Sequence, residues 1–400
     1  MQRNANGAVE IITAESRLGA AVESALKHSR VAIDLESNGF YHYPERVCLV
    51  QLATSDEIYL IDTLTLDGVT PLGELLADDT VEKIFHSADY DIRSFDRDWG
   101  FRVRNLFDTS IAAAFVGSEK RGLAAVLKEY LNLNVSKDKR LQRADWSRRP
   151  LSYELVQYAA EDVRHLDRLR DLLYQKLGDL GRIEWVQEEF ERLTHVGFTP
   201  PDTERFLSVK GNRTLDGQGL AVLRSLHEFR EKEALRRDRP PFKIMSDAVI
   251  VALAASPSSD LAQVKGIGRY GNGSASSAVG QAIRDGQKAP PVKRPQTRLQ
   301  GDRGFSLEER TKPRERLRLL KGWRAGQADR LKLDGGLLWP AASLERLSRR
   351  PDGFEEELES DDVRRWQRGE LGESLRKVLE CFVRGERRPF EAKQGRVTER

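Results

Sequence analysis

Val31-Ala32-Ile33-Asp34-Leu35-Glu36 is an apolar run that closes on two carboxylates two residues apart. The run reads as a strand, and on a strand residues i and i+2 share one face. Asp34 and Glu36 therefore point the same way, towards a cleft or the interior rather than open solvent. A half-buried acidic pair has few structural uses, because carboxylates are rarely buried without a partner. Two more acidic positions complete the pattern. Asp91 lies five residues after His86 in His86-Ser87-Ala88-Asp89-Tyr90-Asp91, and Asp162 lies four after Tyr158. Tyr158 and Asp162 are i and i+4 on a predicted helix and share its face. Singly each is weak: Asp91 could decorate a helix over about 89–98, Asp89 competes with it, and Tyr158 could be a core aromatic. Their company and order make the signal.

The chemistry that wants such a set is phosphodiester hydrolysis. A hydroxide must be placed in line with phosphorus, and charge on the leaving 3′ oxygen must be stabilised. Two divalent cations about 4 Å apart do both. Hard cations take oxygen ligands, and Mg²⁺ keeps several waters and borrows phosphate oxygens, so a few carboxylates from separate elements suffice. Without metal the same cluster would suffer like-charge repulsion. A tyrosine hydroxyl beside it can hold the attacking water.

Around these motifs the first half alternates strand and helix signals. Val9 to Ile12, Val31 to Glu36, Val47 to Ala53, Ile58 to Asp62 and Lys83 to His86 read as strands. Residues 15–28 and 71–77 read as helices, and from His86 to about 195 the period is mostly helical. The short breaks between the second, third and fourth strands predict antiparallel neighbours. The expectation is an α/β domain, a mixed sheet covered by helices.

The chain has 400 residues, 39% hydrophobic and 32% charged, with a net charge of +3. That length predicts two or three domains. Residues 1–200 carry 25 Lys and Arg against 33 Asp and Glu, a net −8, while residues 201–400 carry 41 against 30, a net +11. An acidic half that can hold cations is joined to a basic half that can hold polyanions. No apolar stretch approaches the roughly 20 residues needed to span a bilayer. Met1 to Gly7 has no apolar core after its charge, so no secretory signal and no membrane partner are expected. Cys48 and Cys381 match no metal-ligand spacing. Cys48, within an apolar run, is expected as a buried thiol, and both fit a reducing, cytoplasmic setting.

The three motifs resemble those of the DEDD exonuclease superfamily, in its tyrosine subclass. Within it the chain is similar to the ribonuclease D family. Phe40-Tyr41-His42-Tyr43-Pro44, Val50-Gln51-Leu52, Phe107-Asp108-Thr109, Ala112 to Phe115, Gly122-Leu123 and Gln142 to Ser147 with Arg149-Pro150-Leu151 carry the likeness. The resemblance implies a ribonuclease H-like 3′–5′ exoribonuclease. Asp34, Glu36, Asp91 and Asp162 would hold two divalent ions, Mg²⁺ or Mn²⁺, with Tyr158 positioning the nucleophile. It selects Asp91 over Asp89 and Asp162 over Glu161, and sets His86 behind the ligands or on the substrate side. Asp108 is expected to cap the helix that follows it. The basic run Lys137, Lys139, Arg140, Arg143, Arg148 and Arg149 precedes the Tyr158 helix and is expected to hold RNA phosphates. Trp146 within it is either a stacking surface or a buried anchor.

The second half repeats itself. Leu223-Arg224, Leu226, Phe229-Arg230, Ala234 and Arg236 recur 94 residues later as Leu317-Arg318, Leu320, Trp323-Arg324, Ala328 and Arg330. Apolar spacing with interleaved basic residues predicts an amphipathic helix with a cationic far face. The expected division is an exonuclease domain over 1–200, helical domains over 212–287 and 313–385, a linker over 288–312, and a basic tail over 386–400. The first copy resembles the HRDC domain through Asp238-Arg239-Pro240-Pro241, Asp247 and Lys265-Gly266-Ile267-Gly268, and the second is more divergent. By resemblance both dock RNA, with a packing module as the other reading of the second. The implied substrate is structured RNA with a short single-stranded 3′ end, tRNA precursors foremost, and no obligate protein partner is evident. No motif reads a 2′-hydroxyl, so a DNA exonuclease of the same superfamily and a catalytically silent RNA-binding scaffold are the alternatives.

Overall fold

In a computed structural model describing residues 8–135, 138–200, 202, 204–294 and 307–384, the strand signals form one six-stranded sheet. The strands are β1 (Ala8–Ile12), β2 (Arg30–Ser37), β3 (Val47–Ala53), β4 (Glu57–Ile61), β5 (Glu82–Phe85) and β6 (Leu106–Asp108), in the order β1-β4-β3-β2-β5-β6. β2–β3 and β3–β4 pair antiparallel, as their short connections predict. β1–β4, β2–β5 and β5–β6 are parallel. β6 is the strand that the sequence hides: three residues are too few to show a period of two inside a helical stretch. β3 is buried along its whole length, which is why its sequence is continuously apolar except at Gln51.

Helices α1 (Glu15–Ala25), α2 (Thr70–Ala77), α3 (Asp89–Trp99), α4 (Thr109–Phe115), α5 (Leu123–Leu131), α6 (Lys139–Gln142), α7 (Tyr153–Arg164), α8 (Leu166–Asp179) and α9 (Ile183–Thr194) surround the sheet. α7 packs over β2, β3 and β4, and α8 packs over β2 and β5. α3 ends at Gly100, whose φ of 70° is the left-handed turn that glycine makes without strain, and its N–H caps the Asp96 carbonyl.

The repeat seen in the sequence is a repeat of structure. α10 (Gly217–Arg237), α11 (Pro241–Ile244), α12 (Asp247–Ala255) and α13 (Gly273–Lys288) make the first helical unit. α14 (Leu307–Leu331), α15 (Gly335–Leu338), α16 (Ala341–Arg349), α17 (Phe354–Leu358) and α18 (Arg365–Val383) make the second. The bounds of α15 and α16 fall 94 residues after those of α11 and α12. Asp238 and Lys332, also 94 apart, both take left-handed φ values of 49° and 51°. Arg230 donates to the Met245 carbonyl at 3.3 Å and Arg324 to the Trp339 carbonyl at 3.1 Å, the same bond in each copy. These two arginines do not belong to the expected cationic far face. Arg230 is 6% exposed and turned inward onto Asp247 at 2.7 Å, although Arg236, Arg318 and Arg330 are exposed. Of the expected linker over 288–312, Lys288 falls within α13 and residues 307–312 within α14, and residues 295–306 lie outside the described residues. The basic tail over 386–400 lies outside the described residues.

The two units attach differently. The first has its own core and meets the nuclease through the β2–β3 loop, where Asp238 binds His42 Nδ1 at 2.6 Å and the Tyr43 N–H at 3.0 Å. The second shares one continuous core with the sheet domain. Trp366 stacks on Trp185 with ring centroids 4.7 Å apart and meets Phe115 edge-on at 5.4 Å. The Glu188 carboxylate accepts the Arg365 and Trp366 N–H groups at 2.8 and 3.1 Å, filling orphan donors at the start of α18. Arg182 donates to the Phe115 and Leu331 carbonyls at 2.7 and 2.6 Å. This is the arrangement of a packing module. Trp366→Ala should cost about 3–5 kcal/mol, the usual loss for a buried aromatic, read by urea unfolding of the whole chain. A loss below about 1 kcal/mol would show the second unit to be loosely tethered.

Candidate active site

The site forms where the sheet leaves a gap. β5 pairs with β2 only over Arg30–Ala32, so from Asp34 onward β2 has a ladder partner on one side alone, at β3. Val31, Ile33 and Leu35 fill the core, and Asp34 and Glu36 project together from the other face. The β2–β3 register shifts between Glu36 and Ser37, a bulge that ends regular pairing directly after the second carboxylate. α3 follows β5 and brings Asp91, which is 5% exposed. α7 crosses the same face with Tyr158 and Asp162, its first turn capped by Ser152, whose hydroxyl accepts the Leu155 N–H at 3.3 Å.

Electrostatics show that these side chains are neighbours. Burial pushes Asp34 up to about 7. Burial and the nearby Asp34 push Asp162 up to about 8. Glu36 rises well above the carboxylate range through burial, then through Asp34, Asp162 and Asp91. Asp91 rises likewise through burial and then Asp34. Burial and the carboxylates also raise Tyr158, whose hydroxyl hydrogen-bonds Asp162. Among the described residues no lysine or arginine pairs with any of the four carboxylates. The neighbouring acids go elsewhere: Asp89 pairs with Arg93 at 2.9 Å, and Glu161 pairs with Arg164 at 2.6 Å. Among the described residues no three or more His, Cys, Asp or Glu side chains converge as a ready cage for one ion. The donor set is all oxygen, spread over three elements and short of cations. It suits hard divalent ions that complete their shells with water and phosphate, not a closed structural site.

Asp108 does more than cap a helix. Its carboxylate accepts the Ser110 and Ile111 N–H groups at 2.8 and 3.1 Å, the expected cap of α4. It also accepts the Ser87 and Ala88 N–H groups at 3.1 and 2.8 Å. Ser87 has φ of 70°, an unfavourable turn for a residue with a Cβ, so one carboxylate fixes the strained turn that launches α3 and presents Asp91. Sequence reasoning missed this second role because the partners are backbone groups about 20 residues away. His86 is not among the clustered carboxylates. Its Nδ1 lies 2.9 Å from the Thr109 hydroxyl, which itself donates to the Phe85 carbonyl at 2.9 Å, so the ring N–H is the donor. Burial pushes His86 below its usual range, and Nε2 makes no hydrogen bond of good geometry although the Arg121 carbonyl is near.

The basic run divides. Lys139, Arg140, Arg143 and Arg148 are exposed. Lys137 lies outside the described residues. Arg149 corrects the expectation of a phosphate contact. Its guanidinium binds both oxygens of buried Asp62, at 2.5 and 2.7 Å, and donates to the carbonyls of Trp146, Arg148 and Cys48 at 2.7, 2.9 and 2.9 Å. All five donors are filled. Trp146 is the buried anchor, 1% exposed, with its ring centroid 6.1 Å from that of Tyr158. Arg149→Ala should therefore cost about 3–5 kcal/mol by stranding Asp62. Arg148→Ala should leave stability within about 0.5 kcal/mol and lower the salt slope of nucleic-acid binding by about 1. Urea unfolding and salt-dependent binding read both; a stable Arg149→Ala variant with weakened binding would restore Arg149 as a phosphate contact.

The 3′–5′ exonuclease family model matches residues 9–178, and the HRDC domain model matches residues 219–278. The chain is 32% identical over 286 residues to ribonuclease D of Gluconacetobacter diazotrophicus, covering 70% of this chain and 72% of that protein. To ribonuclease D of Zymomonas mobilis it is 33% identical over 296 residues, covering 72% and 75%. The fold is shared with Escherichia coli RNase D, with a TM-score of 0.68 at 21% identity over 93% of this chain and 99% of that one. A protein from Bifidobacterium adolescentis gives a TM-score of 0.74 at 24% identity over 93% and 97%. Motifs, fold and similarity agree: the chain belongs to the ribonuclease D family and is a 3′–5′ exoribonuclease.

Proposed function

We propose that Asp34, Glu36, Asp91 and Asp162 hold two divalent cations, Mg²⁺ or Mn²⁺, against the 3′-terminal phosphodiester of an RNA. The observation that carries this reading is four mutually repelling carboxylates from three elements, with no lysine or arginine paired to them among the described residues. Bound there, such ions supply an activated water and neutralise charge on the leaving oxygen. Tyr158, hydrogen-bonded to Asp162, holds the attacking water in line with phosphorus. The bond from phosphorus to the 3′ oxygen breaks, releasing a nucleoside 5′-monophosphate and leaving a new 3′-hydroxyl.

The substrate is structured RNA with a short single-stranded 3′ end, tRNA precursors in particular, processed in the cytoplasm. Exposed Lys139, Arg140, Arg143 and Arg148 beside α7 support a phosphate track into the site. The first helical unit adjoins that track, with Lys243 4.2 Å from the centroid of the Tyr41 ring, whose hydroxyl donates to the Arg143 carbonyl at 3.0 Å, and the net +11 of residues 201–400 favours a polyanion. Among the described residues no helix is long and apolar enough to cross a membrane.

Asp34→Asn should lower kcat by at least about 10²–10³-fold, as expected when one group that stabilises transition-state charge is lost. Its metal-free melting temperature should be unchanged or higher, because a repelling buried charge is gone. Near-normal activity would contradict the assignment. Tyr158→Phe should slow turnover of bound RNA by about 10²-fold with little change in affinity. Weakened binding at unchanged turnover would remove the tyrosine from catalysis.

A further inference from the structure

Gln51 is the single amide of β3, 0% exposed, and neither its Nε2 nor its Oε1 has a hydrogen-bond partner. Buried amides left wholly unsatisfied are rare, since both donors and both acceptors were solvated before folding. In the sheet register Gln51 stands opposite Asp34 on β2 and opposite Leu60 on β4. Residues opposed in an antiparallel ladder share a face, with Cβ atoms about 4.5–5.5 Å apart. The amide therefore stands on the carboxylate face, on the strands that α7 covers, and Leu60 offers it no polar group. A leucine or methionine would fill the same space without the desolvation, so packing does not account for an amide here.

We propose that Gln51 is a positioning residue for Asp34. Its Nε2 donates to the carboxylate oxygen that Asp34 turns away from a bound cation, fixing the rotamer that presents the other oxygen. The inference rests on the metal-binding reading above. A carboxylate that binds a hard ion through one oxygen needs a donor on its second, and such partners orient the ligand. In the structure the Asp34 carboxylate accepts from the Leu35 backbone N–H, and the Gln51 amide has no hydrogen-bond partner. Asp34 and Gln51 then act as one unit across the β2–β3 ladder.

The test uses the full-length chain with Mn²⁺ alone as probe, in calorimetric titration. Gln51→Met keeps the volume and removes the hydrogen-bonding groups. Its metal-free melting temperature should equal or exceed that of the unmodified chain, and its Mn²⁺ Kd should rise about 10–100-fold. On RNA, kcat should fall by a similar factor at unchanged KM. Mn²⁺ affinity within twofold of the unmodified chain would overturn the proposal. If the unmodified chain binds no Mn²⁺, or Asp34→Asn binds it normally, the metal-site reading itself fails instead. Should Gln51→Met not fold, a Mn²⁺-bound crystal structure of the unmodified chain decides. Nε2 within about 3.2 Å of an Asp34 oxygen is the expected result, and an amide bonded elsewhere or still alone overturns it.

Discussion

Like charges gathered where the sheet is incomplete are the constraint on which the rest of this structure depends. Burial raises the proton affinity of Asp34, Glu36, Asp91 and Asp162, and repulsion from Asp34 raises it further at the other three. Such a cluster is unfavourable in a chain that has only to fold. Its unfavourable electrostatics become useful when divalent cations arrive, because each cation removes repulsion that the fold has held in place and the pair can then hold an anionic phosphodiester.

Holding that arrangement explains much of the remaining architecture. Asp108 ties the turn after β5 to the start of α4 and so fixes the direction of α3. Arg149 clamps the segment before α7 to Asp62 and to the Cys48 carbonyl, and Trp146 wedges beside Tyr158. The β2–β3 loop, leaving after Ser37, is engaged by Asp238 of the first helical unit. The second unit, by contrast, buries Trp366 and caps α18 with Glu188, extending the nuclease core.

Much of this was legible because it is written in local periodicity and residue type. The alternation around Asp34, the i and i+4 spacing of Tyr158 and Asp162, and the 94-residue repeat each correspond to a feature of the fold. What escaped depends on distant partners. Arg149 looked like its neighbours in a basic run, and only the fold brings Asp62, 87 residues away, against it. Arg230 and Arg324 likewise read as surface charge until the fold turns them onto backbone carbonyls. β6 is too short to announce itself, and Gln51 gains meaning only from the register that sets it opposite Asp34. The choice of Asp91 over Asp89 came from resemblance, and in the structure Asp91 is the buried one and Asp89 the exposed partner of Arg93.

The central claim is that these carboxylates serve metal-dependent shortening of RNA from its 3′ end. The most direct measurement is digestion of a 3′-extended tRNA transcript and a DNA of matched sequence, in Mg²⁺ and again with EDTA, with the released products identified. The expected result is stepwise loss of 3′ nucleotides from the RNA as nucleoside 5′-monophosphates, abolished by EDTA, with the DNA left largely intact. Release that persists in EDTA, or DNA shortened as fast as RNA, would contradict it.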